Sequence, residues 1–362
     1  MKSDTLKFKK PLLYLFLFIL QLLGLRLLRG NPAFVERYYS TGIYPYISKA
    51  SRFILGWIPF SVGDLLYAVL IFWLLYSLYK LIRKRFKNGL KFLTEALLAL
   101  NIIYFGFHLL WGFNYYRLPL HRALQMGNDY TTEELGVLTQ NLIARSNELH
   151  KQLQPDDSAA VIFPFTIEEI FDKTPQGYTQ IEKSFPKLDY PPKSIKNSLF
   201  RYPLSVMGFG GYLNPITNEA QVNGLIPGHR WPLVSCHEQG HQLGFAKENE
   251  ANFIGVLAST NNTDPYFKYS GYIFALRYCL NEYYLRDPEA SEALKPTIRP
   301  GILANYKESY DFWAGFENPL EPLIAIVYGK YLVANNQPGG MQSYNYVVAL
   351  LVNYYKDKKR LP

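Results

Sequence analysis

Three long apolar runs near the front of the chain constrain it more than any other feature, because each is long enough to leave water altogether. Residues 11–28 read PLLYLFLFILQLLGLRLL, with Arg26 close enough to one end for its charged head to reach the interface. Residues 65–81 read LLYAVLIFWLLYSLYKL, and the stretch extends back past Asp64 to Phe60, so the span covers about 60–82. Residues 92–113 read FLTEALLALNIIYFGFHLLWGF, with Glu95 near the start. Roughly 20 apolar residues cross a ~30 Å hydrocarbon layer, so three transmembrane helices are expected. The first run has no small-residue cleavage site and two spans follow it, which marks an uncleaved anchor rather than a signal peptide. If the third run were instead a buried helix of a soluble domain, everything after it would change sides.

The formal net charge of +9 would invite a nucleic-acid reading if it were spread evenly. It is not: residues 1–91 hold 15 Lys or Arg and 3 Asp or Glu, whereas 92–362 hold 23 and 26. The excess flanks the apolar runs, so the expected partner is the lipid bilayer and no nucleic acid. Lys2, Lys7, Lys9 and Lys10 precede the first span, and Lys80, Arg83, Lys84, Arg85, Lys87 and Lys91 lie between the second and third. Both segments should stay in the cytoplasm. The weakly basic segment from about 30 to 59 and the whole of 115–362 then lie outside, with Trp111, Tyr115 and Tyr116 placed for an interfacial aromatic belt.

The chain therefore divides into a transmembrane region, 1–114, and an extracytoplasmic domain, 115–362. Hydrophobic residues make up 49% and aromatics 16%, which excludes a disordered chain. Two cysteines, Cys236 and Cys279, exclude a disulfide-dense scaffold and leave one pairing open. The domain reads as α+β and mostly helical. Thr131-x-x-Glu134 is a capping box opening a helix over 132–152, and Thr166-x-x-Glu169 opens another. The Pro- and Lys-rich stretch 186–203 reads as loop, 204–213 as a strand, 214–218 as a turn and 219–225 as a returning strand. Helices are expected over 265–286, 319–335 and 343–355.

Chemistry concentrates in WPLVSCHEQGHQLGFAKENEANF, residues 231–253. His237-Glu238-Gln239-Gly240-His241 is an H-E-x-x-H pattern. On a helix the two imidazoles share a face one turn apart and can reach one Zn²⁺, with Glu238 beside the metal as general base toward a zinc-activated water. Pro232 suits a first turn, and Gly244 a left-handed C-cap. A two-histidine site needs a third protein ligand if one position is to stay open. Glu248 and Asn252, four apart on the next helix, share a face: Glu248 is the candidate ligand, and Asn252 a candidate hydrogen-bond partner for the far nitrogen of an imidazole. Glu250 is the alternative ligand.

HEQGH followed by ENEAN resembles the gluzincin branch of zinc metallopeptidases. That resemblance implies His237, His241 and Glu248 as ligands of one Zn²⁺ per chain and Glu238 as base. Asn252 stands where that branch usually has Asp, and the short link from His241 to Glu248 demands a tight turn. Over nearly its full length, the chain resembles a bacterial family of membrane proteins of unknown function with a zincin-like domain. The resemblance rests on the three spans, WGFNYYR at 111–117, GFGGYLNP at 208–215 and HEQGHQLGFAKENEAN at 237–252. It implies a multi-pass protein of the bacterial inner membrane whose small antiparallel hairpin packs on the motif helix. Zincin-like sites commonly set a strand edge along the cleft, which makes Gly210, Gly211 and Tyr212 candidate contacts for a peptide or protein substrate; the glycines, with Gly208, equally suit a structural bulge.

Weaker candidates are Glu219 and Asn223 as cleft-facing groups, His229 as a surface-loop histidine, His108 as a packing residue, and Tyr344 as a phenol donor to an oxyanion. The expected function is a membrane-anchored zinc hydrolase, most simply a metallopeptidase. The alternative is a non-catalytic binding or assembly protein with a structural or vestigial zinc site. Intramembrane proteolysis is disfavoured, because Arg230, Lys247 and Glu250 interrupt the motif segment.

Overall fold

A computed structural model describes residues 2–182 and 188–356. The chain is mostly helical with a small three-stranded sheet. Three helices are long and apolar enough to span a membrane: α1 (Lys2–Arg29), α2 (Val62–Arg83) and α3 (Gly89–Leu110). Their apolar side chains are largely exposed, as in Leu12, Phe16, Phe72, Leu75 and Ile102, a surface suited to contact with lipid. Apolar helices of this kind fit a protein embedded in a membrane.

The segment between α1 and α2 folds into the rest of the molecule. It forms a π-helical stretch, Val35–Ile43, and a helix, Tyr44–Leu55. The Tyr44 and Ser48 hydroxyls each donate to the Gln242 carbonyl at 2.8 Å. Arg52, 1% exposed, donates to the carbonyls of Tyr190 and Pro192 and stacks on the Tyr190 ring. Arg117 grips Glu36 with two parallel hydrogen bonds of 2.9 Å and gives a third to the Gly244 carbonyl. If the three helices cross a bilayer, this segment and the residues after α3 must share one face of it. Removing one partner of a buried, hydrogen-bonded ion pair costs about 3–5 kcal/mol. Glu36→Gln should therefore lower the unfolding free energy of the chain in detergent by about that amount; a change below about 1 kcal/mol would show the pair to be dispensable.

The start of α2 is fastened in the same way. Ser61 caps it by accepting from Asp64 N. The Asp64 carboxylate accepts from Ser198 Oγ, Leu199 N and the Tyr212 hydroxyl. Glu219 accepts from Val62 N and Gly63 N, placing a carboxylate at the positive end of the helix. An acid inside an apolar run is thus an anchor point of the fold.

Beyond α3 the main helices are α4 (Thr132–Leu153), α5 (Ile167–Glu182), α6 (Trp231–Gln242), α7 (Glu248–Thr260), α8 (Pro265–Arg286), α9 (Pro300–Ala314), α10 (Glu321–Ala334) and α11 (Val347–Tyr355). Both expected caps form: Thr131 and Glu134 make a reciprocal capping box, and Thr166 pairs with Glu169. Buried Leu135, Leu142, Ile170, Phe253, Phe267 and Leu276 join α4, α5, α7 and α8 into one core. The sheet runs β1-β3-β2, with β1 (Ile195–Asn197) parallel to β3 (Glu219–Val222) and β2 (Gly211–Asn214) antiparallel to it.

Several expectations need correction. The stretch 186–203 is not all loop: it holds β1 and the start of a helix, Arg201–Val206, which also takes the first residues of the expected 204–213 strand. The helices Tyr44–Leu55, Pro288–Leu294 and α9 have no counterpart among the expected elements, although each carries a proline in its first turn. Trp111, Tyr115 and Tyr116 form no lipid-facing belt, because they are buried where the chain turns from α3 into the domain. Cys236 and Cys279 are buried free thiols whose pKa values burial raises.

Candidate metal centre

α6 ends through the chemistry of one residue. Gly244 takes a left-handed φ of +88°, and Phe245 N reaches back to the Gly240 carbonyl at 3.2 Å. This six-to-one closure is a Schellman turn. It reverses the chain within a few residues and lets α7 begin at Glu248. The two helices then pack closely because glycines face the contact. A Cβ on Gly255 would lie 3.1 Å from the His237 backbone nitrogen, and one on Gly240 would lie 3.4 Å from the Ile254 side chain.

This packing brings together the groups that the sequence singled out. The Nε2 atoms of His237 and His241 lie 3.3 and 3.6 Å from Oε2 of Glu248. Charge-assisted hydrogen bonds are shorter, about 2.7–2.9 Å. Ligand atoms on a tetrahedral ion with bonds near 2.0–2.1 Å stand roughly 3.3–3.4 Å apart, close to the spacing seen. A carboxylate oxygen of Glu238 and the two imidazoles also cluster, with all their ligand atoms within 4.8 Å of one another. Oε2 of Glu238 and Nδ2 of Asn252 are buried without a hydrogen-bond partner. Among the described residues, the unpartnered Glu238 oxygen beside two imidazole nitrogens and the Glu248 carboxylate fits a bound cation, whereas Asn252 Nδ2 can only donate a hydrogen bond there.

The surrounding groups hold these side chains in place. His241 Nδ1 donates to the Phe245 carbonyl at 2.7 Å, which leaves Nε2 free toward the cleft. That carbonyl belongs to the turn that ends α6, so one local device both stops the helix and sets the imidazole. It also takes the role expected of Asn252, which makes no hydrogen bond to either imidazole among the described residues. Trp111 Nε1 donates to the His241 carbonyl at 2.9 Å, and the Tyr328 hydroxyl donates to Glu248 Oε1 at 3.2 Å. Glu250 turns away, accepting from Leu120 N at 2.9 Å, so of the two acids Glu248 stands at the imidazoles.

The electrostatics follow from this crowding. Burial pushes the Glu238 carboxyl up to about 7, against the pull of both imidazoles. Burial would raise Glu248 as well, but His241 and His237 outweigh it and hold its carboxyl far below the usual range. For His241, burial acts downward, and the neighbouring Glu248 and Glu238 carboxylates overcome it, lifting the imidazole to about 9.

These residues line a cleft of about 750 Å³. One wall is β2, an edge strand paired only with β3. A Cβ on Gly211 would fall 2.6 Å from Glu238 Oε1 and 2.6 Å from the Gln221 carbonyl, so only glycine lets this strand come so close to the carboxylate. A Cβ on Gly210 would meet only ordinary contacts, the nearest with Val234 at 3.4 Å, and Gly208, at φ +80°, serves the turn. Tyr212 lines the cleft while its ring stacks on Tyr67 of α2. The opposite wall carries Tyr328 and Tyr331 of α10, and Tyr67 and Phe107 bring the domain-side ends of α2 and α3 to the same cavity.

A family model described as a protein of unknown function (DUF3810) matches residues 39–352. The chain belongs to this family. The match takes in α2, α3, the sheet and both helices of the candidate centre. No curated protein and no solved structure matches the DUF3810 chain.

Other candidates lie elsewhere. Glu219 is spent on the start of α2, and Asn223 donates to Ser205 Oγ and the Phe209 carbonyl. His229 is no surface histidine: it is buried, bonded to Ser309 and Glu308, and its pKa is lowered chiefly by burial. His108 packs among Tyr104, Phe107 and Phe113 with Nδ1 on the Tyr104 carbonyl. The Tyr344 side chain lies outside the described residues. Tyr328, the contact to Glu248, is not among the sequence candidates; the signal for it is a pair of tyrosines, 328 and 331, in a helix whose charged residues are Glu321 and Lys330 alone.

Proposed function

We propose that this DUF3810 chain is a membrane-anchored, zinc-dependent hydrolase with a zincin-like domain, most simply a metallopeptidase cleaving an amide bond. The observation that carries the reading is the approach of His237 and His241 Nε2 to one oxygen of Glu248 at 3.3 and 3.6 Å, beside an unpartnered Glu238 oxygen in an open cleft. His237, His241 and Glu248 would hold Zn²⁺. When bound, the ion supplies Lewis acidity that brings water toward a pKa of ~7 and polarises a carbonyl. Glu238 takes the proton from the attacking water and returns it to the leaving amine, a role suited to a carboxyl lifted toward neutrality. Asn252 Nδ2 is free to donate to the oxygen that gains charge. An extended substrate adds to the edge of β2 along Gly210, Gly211 and Tyr212. The basic N-terminal tail and the basic 84–88 turn point to the cytoplasm, which puts the cleft on the outer face of the bacterial inner membrane.

Metal analysis of the full chain in detergent tests the centre. About one zinc per chain is expected, falling to none in His241→Ala. Because His241 carries a proton below about 9 in the metal-free protein, zinc must displace it. Affinity should therefore rise with pH, by up to about tenfold per unit, until about 9 and level off above. Equal zinc content in His241→Ala would refute the ligand set, and a flat pH profile would refute the coupling to that imidazole.

A further inference from the structure

α10 has the sequence EPLIAIVYGKYLVA, and only Leu332 in it is buried. On the face opposite Leu332, Leu320 at the helix start, Leu323, Ile326 and Val327 are 55–60% exposed. An apolar stripe of this size is costly in water, at about 25 cal/mol per Å². Lys330 shares the exposed face, and its long stem can carry the ammonium to an interface. The C-terminal part of α10 is fastened to the end of α3. The Tyr331 hydroxyl lies 3.2 Å from the Tyr115 hydroxyl, and Asn336 just past the helix donates to the Tyr115 carbonyl at 3.0 Å. Tyr115 comes five residues after α3 ends at Leu110. Tyr67 and Phe107, each within two turns of the domain-side end of its apolar helix, share the cleft with Tyr328 and Tyr331.

α10 therefore stands beside the domain-side ends of α2 and α3, and its exposed stripe needs an apolar cover as theirs does. We infer that α10 lies along the bilayer interface with Leu320, Leu323, Ile326 and Val327 in the acyl layer, so that the cleft opens at lipid level. A 14-residue helix that is apolar nearly all round, too short to cross a ~30 Å hydrocarbon layer and fastened beside longer apolar helices, is suited to that position. The substrate class follows: a polypeptide segment that is embedded in the membrane or lies on it, entering sideways. This last step rests on the hydrolase reading; the position of α10 does not.

The test uses the full chain in lipid nanodiscs and needs no turnover. Single cysteines replace Val327, Leu74 on α2 and Glu148 on α4, each labelled with an environment-sensitive fluorophore; the native thiols are buried. A lipid-borne nitroxide should quench Val327→Cys to about the degree seen at Leu74→Cys, and aqueous iodide should quench only Glu148→Cys strongly. Quenching of Val327→Cys by iodide, or shielding from both quenchers as in a dimer of this chain, overturns the lipid position. Met341, exposed and on the cleft wall, tests access. Met341→Cys should react with a maleimide carried on a lipid headgroup; reaction with a water-soluble maleimide alone overturns lateral entry. Absence of hydrolysis alongside positive quenching and labelling would defeat the hydrolase reading and leave the lipid position standing.

Discussion

Glu238→Gln is expected to keep its full complement of zinc and to lose hydrolysis by about 10²–10⁴-fold, the usual contribution of a positioned proton carrier. The amide has nearly the shape of the carboxylate, so the strand at Gly211 and the helix contact at Gly255 are undisturbed. What vanishes is the basic oxygen, which in this protein is buried with nothing else to bond. The measurement pairs metal content with cleavage of an internally quenched peptide library by the wild-type and variant chains. Full activity in the variant would rule out Glu238 as base. A wild-type chain that holds zinc and cleaves nothing would instead favour a binding or assembly role for the same centre.

Gly244→Ala should damage both the fold and the metal centre. A non-glycine residue held at φ +88° costs about 1–2 kcal/mol, and the added Cβ would meet Asn114 Oδ1 and Tyr44 Cε1 at 2.9 Å each. A total near 2–4 kcal/mol is expected, read as a fall in denaturation midpoint. The effect should reach the metal, because displacing this turn moves the Phe245 carbonyl off His241 Nδ1. Loss of such a supporting partner weakens metal binding by about 10–100-fold. A variant that binds zinc as tightly as the parent would show that the imidazole orients itself without the turn.

The sequence carried the apolar helices and the paired motif because both rest on short-range signals. Twenty-residue hydropathy needs no tertiary context, and the i, i+4 spacing of His237 and His241 fixes their common face. The choice between Glu248 and Glu250 was open, because both sit in the first turn of α7 and only the partner of Glu250, the distant Leu120 amide, distinguishes them. The role sketched for Asn252 failed for a related reason. A backbone carbonyl has no residue type, so the claim of Phe245 on His241 was invisible. The hairpin expected over 204–213 and 219–225 forms as the shorter β2 and β3, and β1 escaped because three residues cannot show a period of two. Tyr44, Ser48 and Arg52 looked like loop, since their partners lie more than 130 residues away.

That separation bears on how the molecule is made. The segment that includes Tyr44 leaves the ribosome first, and the Gln242 carbonyl that its hydroxyl meets follows 198 residues later. At about 5–20 residues per second, the wait is on the order of 10–40 seconds. During it, two further helices long and apolar enough to span a membrane are made while an early strip of aromatic and cationic side chains remains without its lodging. Biogenesis, rather than final stability, is where this architecture is most exposed to error, and substitutions at Tyr44 or Arg52 should show first as poor yield of inserted protein.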